Sequence, residues 1–293
     1  MSAHQHQMFR PPAEHDSVLI RVADGCPHNA CAFCAMYRGV PYRVHEPEDT
    51  ARAIAQAARA KPLARRVFLA DGDALALPTP RLLTILEQLD QHFPALSRVT
   101  CYASGRAMAA KSDHDLDALR AAKLRTVYLG LESGCEDILK RMAKNTSAAC
   151  MIDGAQRMRM AGISVSVMVL LGLGGRAASA AHVRDTALAL NAMQPRLLSC
   201  LRLVPIPKTP LSAWIQAGRF ALLSEAEAAR ELRDLLAALN LRQTVFRADH
   251  VSNILPLAGR LPTDRNRLLG ELDELLDARV LDTTGPGRMP NLL

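Results

Sequence analysis

Six short apolar runs punctuate the first two-thirds of this 293-residue chain, and five of them lead through helix-like stretches into the next. The runs are Ser17–Ala23, Arg66–Ala70, Arg98–Ala103, Arg125–Leu131, Ile163–Leu171 and Leu197–Val204. Most are nearly continuous in apolar residues and do not alternate polar with apolar. That is the pattern of parallel strands buried on both faces. Helical character lies between them, at Glu48–Ala60, Pro80–His92, Asp113–Ala122, Glu136–Met142, Ala148–Met160 and Ala178–Met193. Pro47 marks the start of the first helix. Leu82, Leu83, Leu86 and Leu89 make one face of the second, and Ser147 can cap the stretch from Ala148.

Strand, helix, strand in repeated order demands right-handed crossovers, which curl a parallel sheet towards closure. Six units fall short of eight, so the expected fold class is α/β, a partial (βα)6 TIM-like barrel. Function is then expected at the C-terminal ends of the strands. The pattern changes after residue 210. Ser224–Leu239 reads as a long amphipathic helix capped by Ser224, with Glu225 and Glu227 in its first turn. An extended piece around Gln243–Arg247 and a helix over Thr263–Ala278 follow, then a glycine- and proline-rich tail from Thr283 expected to fray. His250 and Asn253, between the extended piece and the last helix, read as a turn, with a reach towards substrate as the alternative. The expected organisation is an N-terminal extension over 1–16, the barrel over 17–210 and a mainly helical extension over 211–293.

Directly after the first run stand Cys26, Cys31 and Cys34, spaced C-x4-C-x2-C. Three thiols this close suit one thiophilic centre, and an odd number cannot pair off in disulfides. They point to a metal or an iron–sulfur cluster with one coordination position open. A zinc site with His28 as fourth ligand is the alternative, although no second C-x2-C pair is present. Cys101 and Cys200 lie inside strand-like runs and read as core residues; Cys135 and Cys150 form no further pair.

The formal net charge is +7, with the arginines scattered and aromatic residues at 4%. That combination argues against a stacking platform for single-stranded nucleic acid. It leaves an arginine-rich surface as the first reading and an anionic partner as the second. No run approaches the length of a membrane span. The polar N-terminus from Met1 to Pro12 does not resemble a targeting peptide, so the expected compartment is a reducing cytoplasm.

The other strand ends carry polar and small residues. Asp71-Gly72-Asp73 follows the second strand; Tyr102, Ser104 and Arg106 mark the third; Gly130-Leu131-Glu132-Ser133-Gly134 ends the fourth. Gly172-Leu173-Gly174-Gly175 follows the fifth, and Arg202, then Pro205 to Leu211 (PIPKTPL), the sixth. Asp73 and Glu132 could merely cap the following helices, and the glycines could merely make turns.

Taken in order, the cysteine triad with Phe33 before its last member, GLESG, GLGG and PIPKTPL resemble the radical S-adenosylmethionine (radical SAM) enzymes. The resemblance covers about residues 17–210. It lies closest to the branch of methylthiotransferase, elongator and coproporphyrinogen-dehydrogenase-like barrels. The cysteine spacing is one residue longer than the superfamily's commonest C-x3-C-x2-C, and Asp71-Gly72-Asp73 stands where Gly-Gly-Glu is usual. The resemblance implies a [4Fe–4S] cluster on Cys26, Cys31 and Cys34, with the fourth iron left to the amino and carboxylate groups of S-adenosylmethionine. It implies Gly72 and Asp73 near the methionine amino group, Glu132 near the ribose or methionine with Ser133 beside it, and Lys144 against the methionine carboxylate. Gly172 and Gly174 would let backbone approach the adenine. Tyr102, Ser104 and Arg202 are candidate substrate contacts by position. An electron donor such as flavodoxin or ferredoxin and an unidentified substrate are the implied partners. The absence of another cysteine cluster implies no second iron–sulfur centre.

Overall fold

The computed structural model describes residues 8–290. Among these residues are ten strands and ten α-helices in the order β1 (Val18–Arg21), β2 (Ala23–Asp24), β3 (Arg43–Val44), α1 (Pro47–Ala60), β4 (Arg66–Ala70), α2 (Thr79–His92), β5 (Arg98–Ala103), α3 (Gly105–Ala109), α4 (Asp113–Ala121) and β6 (Leu124–Glu132). They continue as α5 (Glu136–Arg141), α6 (Ala148–Met160), β7 (Ser164–Leu171), α7 (Gly175–Met193), β8 (Leu197–Arg202), α8 (Pro210–Gln216), α9 (Glu225–Ala238), β9 (Thr244–Ala248), β10 (Leu257–Leu261) and α10 (Arg265–Asp277). The fold is α/β. Its main sheet has eight strands, ordered β1-β4-β5-β6-β7-β8-β9-β10 and mostly parallel, and β2 with β3 makes a separate two-stranded ribbon.

The chain forms two compact units. The first is Met1–Asn29, Met36–Leu129 and Arg157–Val165; the second is Ala30–Ala35, Gly130–Gln156 and Ser166–Leu293. In the first unit β1 pairs in parallel with β4, and β4 with β5, Val67 lying between Val18 and Val99. The cores of β4 and β5 are buried almost without interruption, as their apolar runs dictate. Capping follows the sequence closely. Ser112 and Asp115 form a capping box at the start of α4, and Pro47 occupies the first turn of α1 with Glu48 and Asp49 beside it. Residues 1–7 of the expected N-terminal extension lie outside the described residues. Within the remainder, Glu14 is buried and accepts a hydrogen bond from the Tyr128 hydroxyl at 2.6 Å.

In the second unit β7 pairs in parallel with β8, and β8 with β9, while β10 returns antiparallel to β9. The C-terminal region therefore contributes two strands to the sheet besides helices α8, α9 and α10. The extended piece expected at Gln243–Arg247 is β9. The segment after it leads into β10, not directly into a helix, and Gly259 and Arg260 interrupt the apolar run that would have announced that strand. Ser224 caps α9 in a reciprocal box with Glu227, and Ser147 accepts from the Cys150 amide at the start of α6. The tail expected to fray is hydrogen-bonded through Gly285: Glu225 N–H donates to Gly285 O, Ala226 N–H to Asp282 O, and Arg176 Nη2 to Thr284 O. Residues 291–293 of that tail lie outside the described residues.

Candidate active site

In the first unit, the turn after β4 braces the first cysteine. Gly72 N–H donates to Gly25 O at 3.1 Å. A Cβ built on Gly72 would stand 2.7 Å from Gly25 O and 2.8 Å from the Cys26 Cβ, so only glycine permits this approach. The flanking acids are buried and engaged. Asp71 meets Arg21 Nε at 3.1 Å and accepts from the Tyr37 hydroxyl at 3.3 Å. Asp73 accepts from the Ser104 amide at 3.2 Å. Burial, followed by the charge of Asp71, pushes the Tyr37 hydroxyl far above its ordinary range, which keeps it a neutral hydrogen-bond donor.

The candidate substrate contacts of this unit have structural occupations. Ser104 caps α3 by accepting from the Ala107 amide. Tyr102 packs edge-on against Phe68 and Tyr128, with ring centroids 5.0 and 6.4 Å away. Burial raises its hydroxyl pKa.

In the second unit, Cys31 and Cys34 sit on the short segment Ala30–Ala35. Ala32 pins that segment: its N–H donates to Met142 O at 2.9 Å, and its carbonyl accepts from Leu211 N–H at 3.0 Å. Phe33 packs against the core cluster of Ile138, Met142, Leu173, Leu211 and Phe220. The aromatic before the last cysteine thus anchors the segment, and the two thiols flank that anchor.

Glu132 ends β6 with φ +64°, and its carboxylate pairs with Lys144 Nζ at 3.2 Å. Gly130 makes room for the pair, because a side chain there would strike the Glu132 carboxylate and approach the ammonium to 3.2 Å. Burial pushes the Lys144 ammonium down. Glu132 and the nearby Cys31 and Cys34 sulfurs outweigh that effect and hold its pKa above the ordinary value. A lysine expected against an S-adenosylmethionine carboxylate is therefore held as a cation by Glu132, in the field of two cysteines.

Beside this pair runs a buried polar chain that includes two residues sequence reasoning did not select. Ser133 Oγ accepts from the Cys135 amide and lies 2.8 Å from His182 Nδ1. His182 Nε2 faces Glu231 Oε1 at 3.8 Å. Glu231 accepts from Gly172 N–H and from the Ser179 hydroxyl. Burial lowers the His182 pKa to about 4 and raises that of Glu231 to about 7. Glu231 did leave a trace in the sequence: a carboxylate in the buried stripe Ala228, Leu232, Leu235 of α9. His182 left none, standing singly in an alanine-rich helix.

Gly172 and Gly174 form the turn between β7 and α7, Gly174 in the N-cap position. Arg202 ends β8 and is 7% exposed; its Nη2 donates to Pro286 O at 2.8 Å. Asn253 donates to Cys200 O and Ala248 O, each at 2.8 Å, so the segment that holds it is a hydrogen-bonded turn.

Among the described residues, no group of three His, Cys, Asp or Glu side chains is gathered around a single-ion site. The zinc reading with His28 has no support. A cubane makes a different demand, since each thiolate takes its own iron and the three sulfurs need not meet at one point.

A family model described as the Radical SAM superfamily matches residues 20–185. The chain belongs to the radical SAM superfamily. None of the curated proteins compared matches it. Solved structures share its fold at low identity. The radical SAM methyltransferase TsrM from Kitasatospora setae, solved with cobalamin and a [4Fe–4S] cluster, is 18% identical, with a TM-score of 0.56 over 69% of this chain and 37% of its own. Coproporphyrinogen III oxidase HemN from Escherichia coli is 14% identical, with a TM-score of 0.56 over 75% of this chain and 51% of its own. Methylornithine synthase PylB is 12% identical, with a TM-score of 0.51 over 93% of this chain and 83% of its own. The chain thus spans well under two-thirds of the methyltransferase and the oxidase, and most of the synthase.

The architecture is the partial TIM-like barrel of this superfamily with added C-terminal elements, and superfamily members bind a [4Fe–4S] cluster and S-adenosylmethionine. The donor set fits. Three closely spaced cysteines carry no disulfide and are half-buried, and a buried lysine stands beside two of them. No helix among the described residues is long and apolar enough to cross a membrane.

Proposed function

We propose that this radical SAM enzyme cleaves S-adenosylmethionine reductively and removes a hydrogen atom from a substrate that the sequence does not identify. The observation that carries the reading is the three-cysteine loop after the first barrel strand in a chain of this superfamily. Cys26, Cys31 and Cys34 would hold the cluster, and the position without a cysteine would be open to S-adenosylmethionine. When bound, the cluster supplies the electron that breaks the sulfonium bond and yields a 5′-deoxyadenosyl radical.

The chain's own residues bind and orient. Lys144, kept charged by Glu132, meets the methionine carboxylate, and Glu132 with Ser133 lines the ribose side. Gly72 offers backbone close to Cys26, and Gly72 with Asp73 lies near the methionine amino group. Gly172 and Gly174 let backbone approach the adenine. Tyr102, Ser104 and Arg202 stand as substrate contacts. The Ser104 hydroxyl also caps α3. A low-potential carrier of the flavodoxin or ferredoxin kind delivers the electron, and the barrel organisation over 17–210 supplies the site.

Anaerobic reconstitution with iron and sulfide tests the reading. A brown protein that forms 5′-deoxyadenosine from S-adenosylmethionine and dithionite supports it, and Cys31→Ala should lose both properties. A colourless protein that retains one tightly bound zinc would overturn it.

A further inference from the structure

The turn between β7 and α7 has three glycines in four residues, Gly172-Leu173-Gly174-Gly175. Two of them, Gly172 at φ +82° and Gly175 at φ +61°, stand in the left-handed region. Such a turn gains little stiffness from its own residues, because glycine reaches many conformations at small cost. Its shape has to be held from outside, and a carboxylate on another helix holds it. Glu231 of α9 is 2% exposed. Its Oε1 accepts from Gly172 N–H and its Oε2 from the Ser179 hydroxyl on α7. One side chain thus bridges the start of the turn and the helix that follows it.

Other contacts extend this hold in both directions. One helical turn before Glu231, Glu227 pairs with Arg176 Nε at 2.7 Å, directly after the glycines. On its far side α7 is tied to the end of β6. His182 Nδ1 lies 2.8 Å from Ser133 Oγ, and Thr186 Oγ1 accepts from Gly134 N–H at 2.8 Å. A continuous set of hydrogen bonds therefore runs from α9 through the glycine turn and α7 to Ser133 and Gly134. Packing gives no reason for an acid at position 231. Its neighbours in the buried stripe of α9 are Ala228, Leu232 and Leu235, and burying a carboxylate among them costs free energy that a leucine would not. Both of its oxygens serve the turn and the helix behind it.

We propose that Glu231 is a positioning residue for the adenosine half of S-adenosylmethionine: by holding Gly172 N–H and the Ser179 hydroxyl, it fixes the backbone of the glycine turn in one shape before the nucleoside arrives. Ordering the turn in advance removes that cost from the binding step and so raises affinity. Glu231 acts through the turn and does not touch the ligand. The placement of adenine against this turn rests on the function proposed above; the hold of Glu231 on the turn does not.

S-adenosylmethionine and methionine are the probes, titrated calorimetrically into the anaerobically reconstituted full chain. The ratio of their affinities isolates what the adenosine half adds. Glu231→Leu should lower that ratio about tenfold, the scale of one lost hydrogen bond to an acid, with methionine affinity and iron per chain at wild-type values. Glu231→Gln keeps an acceptor for Gly172 N–H and a partner for Ser179, so it should hold the ratio near wild type. Equal weakening of both probes by Glu231→Leu overturns the proposal, because it marks a residue that serves folding only. An unchanged ratio overturns it too, as does a Glu231→Gln variant that falls as far as Glu231→Leu. If Glu231→Leu does not fold, Ser179→Ala decides: it removes one arm of the hold and should lower the ratio severalfold, and no change there overturns the proposal. The two readings fail separately. 5′-Deoxyadenosine formed by a chain whose ratio is indifferent to Glu231 removes the positioning role alone. A ratio that depends on Glu231 in a chain that forms no 5′-deoxyadenosine removes the radical reaction and leaves the positioning role standing.

Discussion

Gly72 shows how much of the candidate site rests on one missing methyl group. Adding it would push against Gly25 O and the Cys26 Cβ, both backbone-fixed neighbours that cannot swing aside. Gly72→Ala is therefore expected to cost about 1–3 kcal/mol, as overpacking does, and to lower iron uptake on reconstitution by displacing Cys26. The control is Gly270→Ala in α10, where the new Cβ meets open space. It should gain about 0.5–1 kcal/mol from helix propensity. Urea midpoints and iron content distinguish a specific brace from general fragility; equal effects at both sites would remove Gly72 from this role. Lys144 offers a second test at this scale. Lys144→Met leaves the Glu132 carboxylate buried without its cation. Losing one partner of a buried pair costs about 3–5 kcal/mol, and residual exposure of this pair puts the expected loss at the lower end, with S-adenosylmethionine binding weakened. The double variant Glu132→Gln with Lys144→Met should recover most of the stability and none of the binding; recovery of both would show that the pair serves folding only.

Elements were legible where burial and period agree. Arg66–Ala70 and Arg98–Ala103 fall on the bounds their apolar runs give, because a strand buried on both faces admits little but apolar residues, and Ala148–Met160 falls on the bounds read from its helical character. The strand β10 was hidden by Gly259 and Arg260, affordable there because β10 ends the sheet order and has one strand neighbour. The tail was hidden for a different reason: its contacts run through backbone carbonyls, which composition does not report. The contact of α9 with the β7–α7 turn left only a faint trace, a single glutamate, Glu231, in the buried stripe of α9. That contact has a pH signature. Glu231, ordinarily near 4.5, is raised to about 7. Between those values the folded protein holds a proton that the unfolded chain has released, so this group's contribution is full below 4.5 and is lost as pH rises through 7. His182, ordinarily near 6.5, is lowered to about 4, so its contribution has the opposite sign and grows with pH between 4 and 6.5. The slopes oppose one another where the windows overlap. Glu231→Gln removes the falling one. The stability of the variant relative to wild type should then climb with pH across 4.5–7, by at most about 1.4 kcal/mol per unit. A flat difference in urea midpoints over that range would show that Glu231 does not titrate there.

At the scale of the whole molecule, six of the seven cysteines divide into two chemical populations. Cys26, Cys31 and Cys34 are half-buried, and the latter two lie beside a cation. Cys101 and Cys200 are buried in β5 and β8, and burial pushes both thiols up, Cys200 to about 12. They remain protonated and pack as small hydrophobes. Cys135 is also buried and contributes to the core cluster around Phe220. Cys26, Cys31 and Cys34 are the one set of three cysteines close together in the sequence, so one chain should take up one [4Fe–4S] cluster. Cys101→Ala and Cys200→Ala should each lose about 1 kcal/mol or somewhat more from the cavity left behind, while iron per chain and the visible spectrum of the reconstituted protein stay at wild-type values. Cys26→Ala, Cys31→Ala or Cys34→Ala should each remove the stable cluster with a much smaller change in the stability of the metal-free chain. Iron and sulfide analysis beside urea titration of the metal-free forms separates the two classes. Loss of iron in the Cys101 or Cys200 variants, with folding intact, would mean that the division by burial does not govern which thiols serve the cluster.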